Sequence, residues 1–246
     1  MRGRVFFVSA GLLAVATCGW LVSRHLLPLD SLKQRLTGSA TVAGRVAEHG
    51  DSARARLVTH FHRAGVSYPP ATFVLAGFKQ ERELHVFASD KGGGSRFVRA
   101  YPVYAASGVL GPKLRAGDFQ VPEGIYRIES LNPNSQFHLS LRIGYPNQYD
   151  RARAGEEGRT NLGGDIMIHG GSASIGCLAI GDEAAEELFV MAADTGWHHA
   201  KVILSPVDFR SRELPETFQQ EIPWVRELYA QIREELASLP LAGKGR

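Results

Sequence analysis

Residues 163–182 read GGDIMIHGGSASIGCLAIGD. The apolar run from Asp165 to Ile168 predicts a short β-strand that carries His169 into a loop rich in glycine and serine, and this loop ends at Cys177. A thiolate is a strong nucleophile, and a nearby imidazole lowers the pKa of the thiol and takes up its proton. Gly176 leaves the Cys177 amide open as a candidate oxyanion donor, because preset N–H groups stabilise charge that develops on a carbonyl oxygen. The stretch therefore indicates a nucleophilic cysteine with a histidine base.

Two other interpretations of Cys177 are a metal ligand and an inert thiol. A zinc site usually takes three or four protein ligands, so one His and one Cys are too few unless folding recruits Asp165, His198 or His199. The sequence contains no HExxH or CxxC pattern, and thiol acyl transfer needs no cofactor. We therefore predict neither a metal nor a cofactor. An inert thiol is the usual interpretation of a free cysteine, which is among the most buried residue types, but the His169 loop around Cys177 argues against it.

The composition is that of an ordinary globular protein, with 44% hydrophobic and 22% charged residues. The formal net charge is +3, and Arg2, Arg4 and Arg24 account for all of it. The rest of the chain holds equal numbers of basic and acidic residues. It gives no general electrostatic case for a nucleic-acid partner, and we predict none.

An apolar run without charged residues extends from Val5 to Val22. As a helix it would be about 27 Å long, close to the ~30 Å thickness of the hydrocarbon layer. The run is long for a cleavable segment, and no clear A-x-A site follows it, so residues 1–24 are interpreted as a signal-anchor in preference to a signal peptide. Both interpretations export the remainder, so we expect a periplasmic protein held in the inner membrane by residues 5–22. Cys18 lies in this run, which leaves Cys177 as a single exported thiol without a disulfide partner.

The remaining chain is predicted to have three parts: a linker, a β domain and a C-terminal helical extension. Residues 25–69 are interpreted as a membrane-proximal linker with one or two short helices, because Gly38, Gly44 and Gly50 interrupt its apolar positions. Residues 70–206 contain short β-prone runs between Gly, Pro, Asn and Asp clusters, which predicts a mainly β fold, an antiparallel-rich sandwich or barrel. The predicted strands are Thr72–Phe78, Leu84–Ala88, Phe97–Ala106, Ile125–Ser130, His138–Tyr145, Asp165–His169 and Lys201–Leu204.

Two helices are predicted in the second half of the chain. The first covers Glu183–Asp194, with Asp182 as its cap and Gly196 at its end. The second covers Pro223–Leu239 and forms most of a C-terminal helical extension, residues 207–246. The polar stretch Asp150–Thr160 is predicted as a loop that serves as a mobile lid.

The run HGGSASIGCLAI, residues 169–180, resembles the His-Gly…Ser-x-Gly-Cys motif of the L,D-transpeptidase catalytic (YkuD-like) family. Residues 105–128 and 131–152 are similar to the upstream strands of its YafK-type branch of murein transpeptidases and endopeptidases, so the resemblance covers about residues 70–206. It implies a YkuD-like β-sandwich catalytic domain with flanking helices, in which Cys177 attacks a peptide carbonyl and forms a thioester.

The resemblance also implies roles for the neighbours of Cys177. His169 would be the general base, with its ring oriented by the backbone carbonyl of Gly170. The amides of Cys177 and Gly176 would form the oxyanion hole, and Ser174 would shape the loop.

The implied substrates are peptidoglycan stem peptides, and for the YafK-type branch also the link between peptidoglycan and a lipoprotein. Such peptides carry carboxylates, for which Lys113 and Arg115 are the candidate ligands. Ile175 and Ala179 stand where many family members have a second His and an Arg. These departures leave two questions open: whether the acyl group goes to an amine or to water, and whether the chain is instead a catalytically silent cell-wall-binding module.

Overall fold

The computed structural model describes residues 39–215, 218 and 222–242. These residues form α1 (Val42–Ala64), β1 (Thr72–Phe78), β2 (Glu83–Ser89), β3 (Arg96–Pro102), β4 (Ala105–Ala106), β5 (Gly124–Ser135), β6 (His138–Ile143), α2 (Gln148–Glu156), β7 (Met167–His169), β8 (Leu178–Ala179), α3 (Asp182–Thr195), β9 (Ala200–Ser205) and α4 (Val225–Ala237). The predicted membrane segment, residues 5–22, lies outside the described residues. Within them, every helix is too short or too polar to cross a bilayer.

The prediction of a mainly β fold is confirmed. The predicted sandwich would have two separate sheets, whereas the structure has one. The nine strands form one continuous sheet in the order β3-β2-β1-β9-β5-β6-β7-β8-β4. Strand β5 joins its two halves, because Gly124–Arg127 pair with β9 whereas Ile128–Ser135 pair with β6. The pairs β1–β9 and β7–β8 are parallel, and the other strand pairs in this order are antiparallel.

Several strand boundaries differ from the prediction. The predicted run Phe97–Ala106 is split into β3 and β4 at Pro102, which has no N–H to offer a neighbouring strand. Strand β6 ends at Ile143, whereas the prediction continued it to Tyr145, and the Tyr145 amide turns back onto the Ile143 carbonyl at 2.8 Å. Strand β8 was not predicted, because two residues carry no periodic pattern.

Helix α1 corrects the prediction of one or two short helices, since it is one helix of 23 residues that runs through Gly44 and Gly50. A glycine inside a helix costs only about 1 kcal/mol relative to alanine. Burial of Leu57 and Phe61, both at most 1% exposed, more than offsets that cost.

Helix α2 corrects the prediction of a loop at Asp150–Thr160. Its first turn is a reciprocal capping box, in which the Asp150 amide donates to Oδ1 of Asn147 and the Asn147 amide donates to Oδ2 of Asp150, both at 2.9 Å. The polar composition of this stretch is typical of a loop. The predicted range, Asp150–Thr160, does not include Asn147, the cap residue at which the helix begins.

The two predicted helices are present, as α3 and α4, with small shifts of their ends. Asp182 is the first residue of α3 and not its cap, because its carboxylate binds the amide of Gly171 at 2.7 Å instead of the amides of its own helix. Gly196 follows the last turn of α3, as predicted.

Both faces of the sheet are covered at β1, as the alternation of this strand shows. Phe73 and Leu75 belong to the core cluster that includes residues of α1 and α3, whereas Ala76 and Phe78 belong to the cluster that includes α4. Successive side chains of a strand point to opposite faces. Residues 42–64 and 225–237 therefore supply core on either side of the sheet that carries the candidate site.

Candidate active site

The parallel pair β7–β8 brings the predicted histidine and cysteine together. Ile168 is paired with Leu178 and His169 with Ala179, so Cys177 lies directly before β8, beside Met167. The Met167 amide points at the sulfur, with 3.4 Å between N and Sγ. Because side chains alternate along paired strands, His169 and Cys177 project to the same face of the sheet.

His169 is held in a defined orientation. Its Nδ1 lies 2.6 Å from the carbonyl oxygen of Gly170, the contact that the family resemblance implies. A carbonyl only accepts hydrogen bonds, so Nδ1 carries the proton and Nε2 is the basic nitrogen. Phe137 stacks on the imidazole, with ring centroids 4.7 Å apart. Burial lowers the pKa of His169, and the bond to Gly170 opposes this shift in part. At neutral pH the ring is therefore uncharged and able to accept a proton.

Cys177 is partly buried, and its sulfur contacts two backbone groups. Besides the Met167 amide, Sγ lies 3.7 Å from the carbonyl oxygen of Asp165 and can donate its proton there. Burial raises the pKa of this thiol, and the charge of Asp165 adds to the increase, while the Met167 amide and the charge of Lys113 oppose it. In this resting state burial has the largest effect on the Cys177 thiol, so its pKa is raised, whereas the sequence predicted a thiol whose pKa the imidazole lowers.

Two hydroxyl groups already occupy the predicted oxyanion donors. The amide of Gly176 donates to Oγ of Ser107 at 2.5 Å, and the amide of Cys177 donates to Oγ of Ser174 at 3.1 Å. Gly176 has a φ of 104°, a conformation that favours glycine. These amides can bind an oxyanion only after the two hydroxyls turn away or are displaced.

The loop after His169 is packed too tightly to hold a side chain at Gly170. A Cβ added there would lie 2.5 Å from Oδ1 of Asp182, 2.8 Å from the carbonyl oxygen of Phe137 and 3.0 Å from Cβ of His138. The backbone carbonyl that orients the histidine is thus fixed by its neighbours on both sides.

The two predicted substrate ligands have different surroundings. Lys113 is buried, and its ammonium group binds the Asp118 carboxylate and the Arg115 carbonyl, so this cation holds its own loop together. Arg115 is exposed, and its guanidinium has no hydrogen-bond partner in the part of the chain that the structure describes. Of the two side chains, Arg115 is the one available to a substrate carboxylate.

Ser107, Phe137 and Asp182 were not predicted as site residues. Ser107 is separated from Gly176 by 69 positions, and Phe137 lies in the turn between β5 and β6. The only sequence signal for Ser107 is its place in the run AASGVLG, which belongs to the family resemblance. Among the described residues, one group of three side chains is suited to a metal ion, and neither Cys177 nor Asp165, His198 or His199 belongs to it.

Comparison with known proteins gives one family match. The model of the L,D-transpeptidase catalytic domain family, YkuD, matches residues 79–204, just over half of the chain.

Two curated relatives match the same region. The YafK proteins of Escherichia coli K12 and of Escherichia coli O157:H7, themselves named only provisionally as L,D-transpeptidases, are each 40% identical over 114 residues. That match spans 46% of this chain and 44% of each relative, so it covers less than half of their length.

Two solved structures align with part of this chain at low sequence identity. The helical cell shape determining protein Pgp2 from Campylobacter jejuni has a TM-score of 0.46 and 15% identity, over 69% of this chain and 70% of that one. Bd1075 from Bdellovibrio bacteriovorus has a TM-score of 0.42 and 18% identity, over 70% of this chain and 56% of that one.

Proposed function

The chain belongs to the L,D-transpeptidase catalytic domain family, and on that premise we propose that it is a cysteine acyl-transfer enzyme that acts on peptidoglycan stem peptides. Cys177 is the nucleophile and His169 is the general base. The observation that carries this proposal is the 2.6 Å contact between Nδ1 of His169 and the Gly170 carbonyl. It leaves Nε2 as the proton acceptor, on the face of the sheet that Cys177 shares.

The first half of the reaction forms a thioester. The resting thiol is protonated, so its proton passes to Nε2 of His169 while the sulfur attacks the peptide carbonyl carbon. The carbonyl oxygen becomes an oxyanion, which the amides of Cys177 and Gly176 can stabilise once the hydroxyls of Ser174 and Ser107 release them. The tetrahedral intermediate then collapses, the peptide C–N bond breaks, and the leaving amine takes the proton from His169.

The second half transfers the acyl group. An acceptor amine or a water molecule gives its proton to His169 and attacks the thioester carbonyl, and Cys177 leaves as a thiolate that His169 reprotonates. An amine acceptor yields a new peptide crosslink, and water yields hydrolysis. Hydrolysis of a bond to diaminopimelate would also release a peptidoglycan-linked lipoprotein.

Arg115 is the proposed ligand for a stem-peptide carboxylate. Its exposed guanidinium can form two parallel hydrogen bonds to a carboxylate, which a single ammonium group cannot. Lys113 supports the same loop from inside through Asp118.

The two departures from the family pattern leave the His–Cys pair in place, which favours an enzyme over the silent binding module. Ile175 is 71% exposed at the surface of the loop, so its side chain supports neither Cys177 nor His169. Ala179 is fully buried opposite His169 in the β7–β8 pair, so an arginine at this position would bury its charge.

We place this reaction in the periplasm, with residues 5–22 in the inner membrane. The support is the uncharged run from Val5 to Val22 between arginines. Alkaline phosphatase fused after Arg246 is active only when exported, so an inactive fusion would contradict this location.

Incubation of the full chain with purified sacculi and with soluble tetrapeptide muropeptides tests the function, with products identified by mass spectrometry. Parallel samples contain Cys177→Ala and His169→Ala. We expect loss of a terminal D-alanine, a new diaminopimelate crosslink or release of a lipoprotein peptide, absent in both variants. Products that persist in Cys177→Ala would overturn the mechanism. A complete lack of products together with binding to sacculi would identify the silent module.

A further inference from the structure

Three metal-ligating side chains meet outside the candidate active site. His49 comes from α1, Glu186 from α3, and His138 from the start of β6, and one ligand atom from each lies within 4.8 Å of the other two. We infer that His49, His138 and Glu186 form a binding site for a divalent metal ion of the zinc type. This site is independent of the proposed acyl transfer.

The spacing of the three groups suits a tetrahedral ion. Oε1 of Glu186 is 3.0 Å from Nε2 of His138 and 3.3 Å from Nδ1 of His49. Zinc–nitrogen and zinc–oxygen bonds of about 2.0–2.1 Å place neighbouring ligand atoms about 3.3 Å apart. The two imidazole rings meet edge to face, with centroids 5.1 Å apart, so both can direct a nitrogen towards the same carboxylate oxygen.

One neighbouring group orients the Glu186 carboxylate, and a second lies near the other nitrogen of His49. The other oxygen of Glu186, Oε2, accepts a hydrogen bond from Arg56 at 2.9 Å, which fixes the carboxylate and leaves Oε1 available. Within the described part of the chain, Nε2 of His49 is buried and has no hydrogen-bond partner, although Oε2 of Glu48 faces it at 3.6 Å. A ligating histidine commonly directs its second nitrogen at a carboxylate in this way.

Partial burial makes the site dry enough to bind an ion and open enough to admit one. The side chains of His49 and Glu186 are each 15% exposed, and that of His138 is 28% exposed. The three protein ligands leave a fourth coordination position for solvent. An ion there would join two helices to the start of β6, and Phe137, in the turn just before that strand, stacks on His169.

Zinc binding to the full 246-residue chain tests the inference, by equilibrium dialysis against ZnCl₂ followed by metal analysis. All samples carry Cys177→Ala, so that the active-site thiol cannot bind zinc. We expect one Zn²⁺ per chain. His49→Gln and His138→Gln should each weaken binding by more than the roughly 10- to 100-fold loss that follows removal of an outer-shell partner.

Two matched controls separate this site from other histidines. His62→Gln changes an exposed histidine of the same helix, and His198→Gln changes one of an adjacent histidine pair, and both should keep full zinc binding. Zinc binding that is absent, or that survives both His49→Gln and His138→Gln, would overturn the inference and leave a simple ion pair with Glu186.

If the histidine variants unfold, the Cys177→Ala chain without further substitutions still allows a test by visible spectroscopy. Cobalt(II) added to the Cys177→Ala chain should give the visible absorption of a four-coordinate ion, and one equivalent of ZnCl₂ should remove it. The absence of that absorption would overturn the inference without any change to the cluster.

Discussion

Ser174 forms hydrogen bonds to the backbone of Cys177 on both sides of its Cα atom. Its Oγ donates to the Cys177 carbonyl at 2.6 Å and accepts from the Cys177 amide at 3.1 Å. One hydroxyl thus fixes the position of the nucleophile and also occupies an amide that the reaction needs for the oxyanion.

Replacement of this serine by alanine tests which of these two effects dominates. Ser174→Ala leaves the Cys177 carbonyl without its donor, and we expect the loosened nucleophile to lower kcat/KM by about 10²-fold, as for a misplaced reacting group. The rate of D-alanine release from a tetrapeptide muropeptide measures this. Ser172→Ala is the control, because Ser172 is exposed in the same loop. A Ser174→Ala rate equal to or above that of the parent would mean that the hydroxyl obstructs the amide more than it orients the sulfur.

The thiol of Cys177 should react slowly with alkylating reagents at neutral pH. Burial raises the pKa of this thiol, so only a small thiolate fraction is present at pH 7, and the fraction grows as the pH rises. In a Cys18→Ser background, the iodoacetamide rate should increase about tenfold per pH unit until it levels off above the usual pKa of a free cysteine, about 8.5. A plateau that begins below pH 7 would instead indicate a preformed thiolate–imidazolium pair.

The pH dependence of turnover should show that His169 acts as a neutral base. Burial lowers its pKa, so the ring loses its basic form only when the pH falls below the usual value of about 6.5. The acidic limb of kcat/KM should therefore bend below pH 6.5. Activity that declines as the pH rises through 7 would show that the reaction needs the imidazolium form, and would contradict this assignment.

Much of the sheet could be predicted because its strands carry local signals. The bounds of β1, Thr72–Phe78, are those predicted, since a β-prone run begins after two prolines and ends at a charged turn. Strand β8 could not be predicted, because Leu178–Ala179 is extended only through its pairing with β7 and β4. The single sheet could not be predicted either, because it depends on the pairing of one strand, β5, with both β9 and β6.

The candidate site could likewise be predicted only in part. His169 and Cys177 could be predicted because one loop carries both residues and their chemistry is specific. Ser107 could not, because its contact with Gly176 bridges 69 positions. The length of α1 could not be predicted either, because Gly44 and Gly50 interrupt its apolar pattern, whereas packing of Leu57 and Phe61 maintains the helix.

Asp150 should make the fold less stable as the pH rises from 4 to 7. Burial raises the pKa of Asp150 to about 6, above its unfolded value, so the folded state holds the proton more tightly. Its contribution to stability is present below the unfolded pKa and is lost as the pH rises through 6, by up to about 3 kcal/mol. Urea unfolding of the parent and of Asp150→Asn at several pH values measures the difference. A variant with the same pH dependence as the parent would contradict the assignment.

Phe61 provides a test of whether α1 is part of the folded domain or a linker. Its side chain is 1% exposed and packs in the core cluster that also contains α3 and one face of the sheet. Removal of such a buried ring typically costs about 3–5 kcal/mol, so Phe61→Ala should lower the free energy of unfolding of the whole domain by that amount. Val58→Ala is the matched control, because Val58 lies on the same helix and is 51% exposed. If both variants unfold like the parent in urea, residues 42–64 contribute nothing to the core, and the helix is the linker that the glycines suggest.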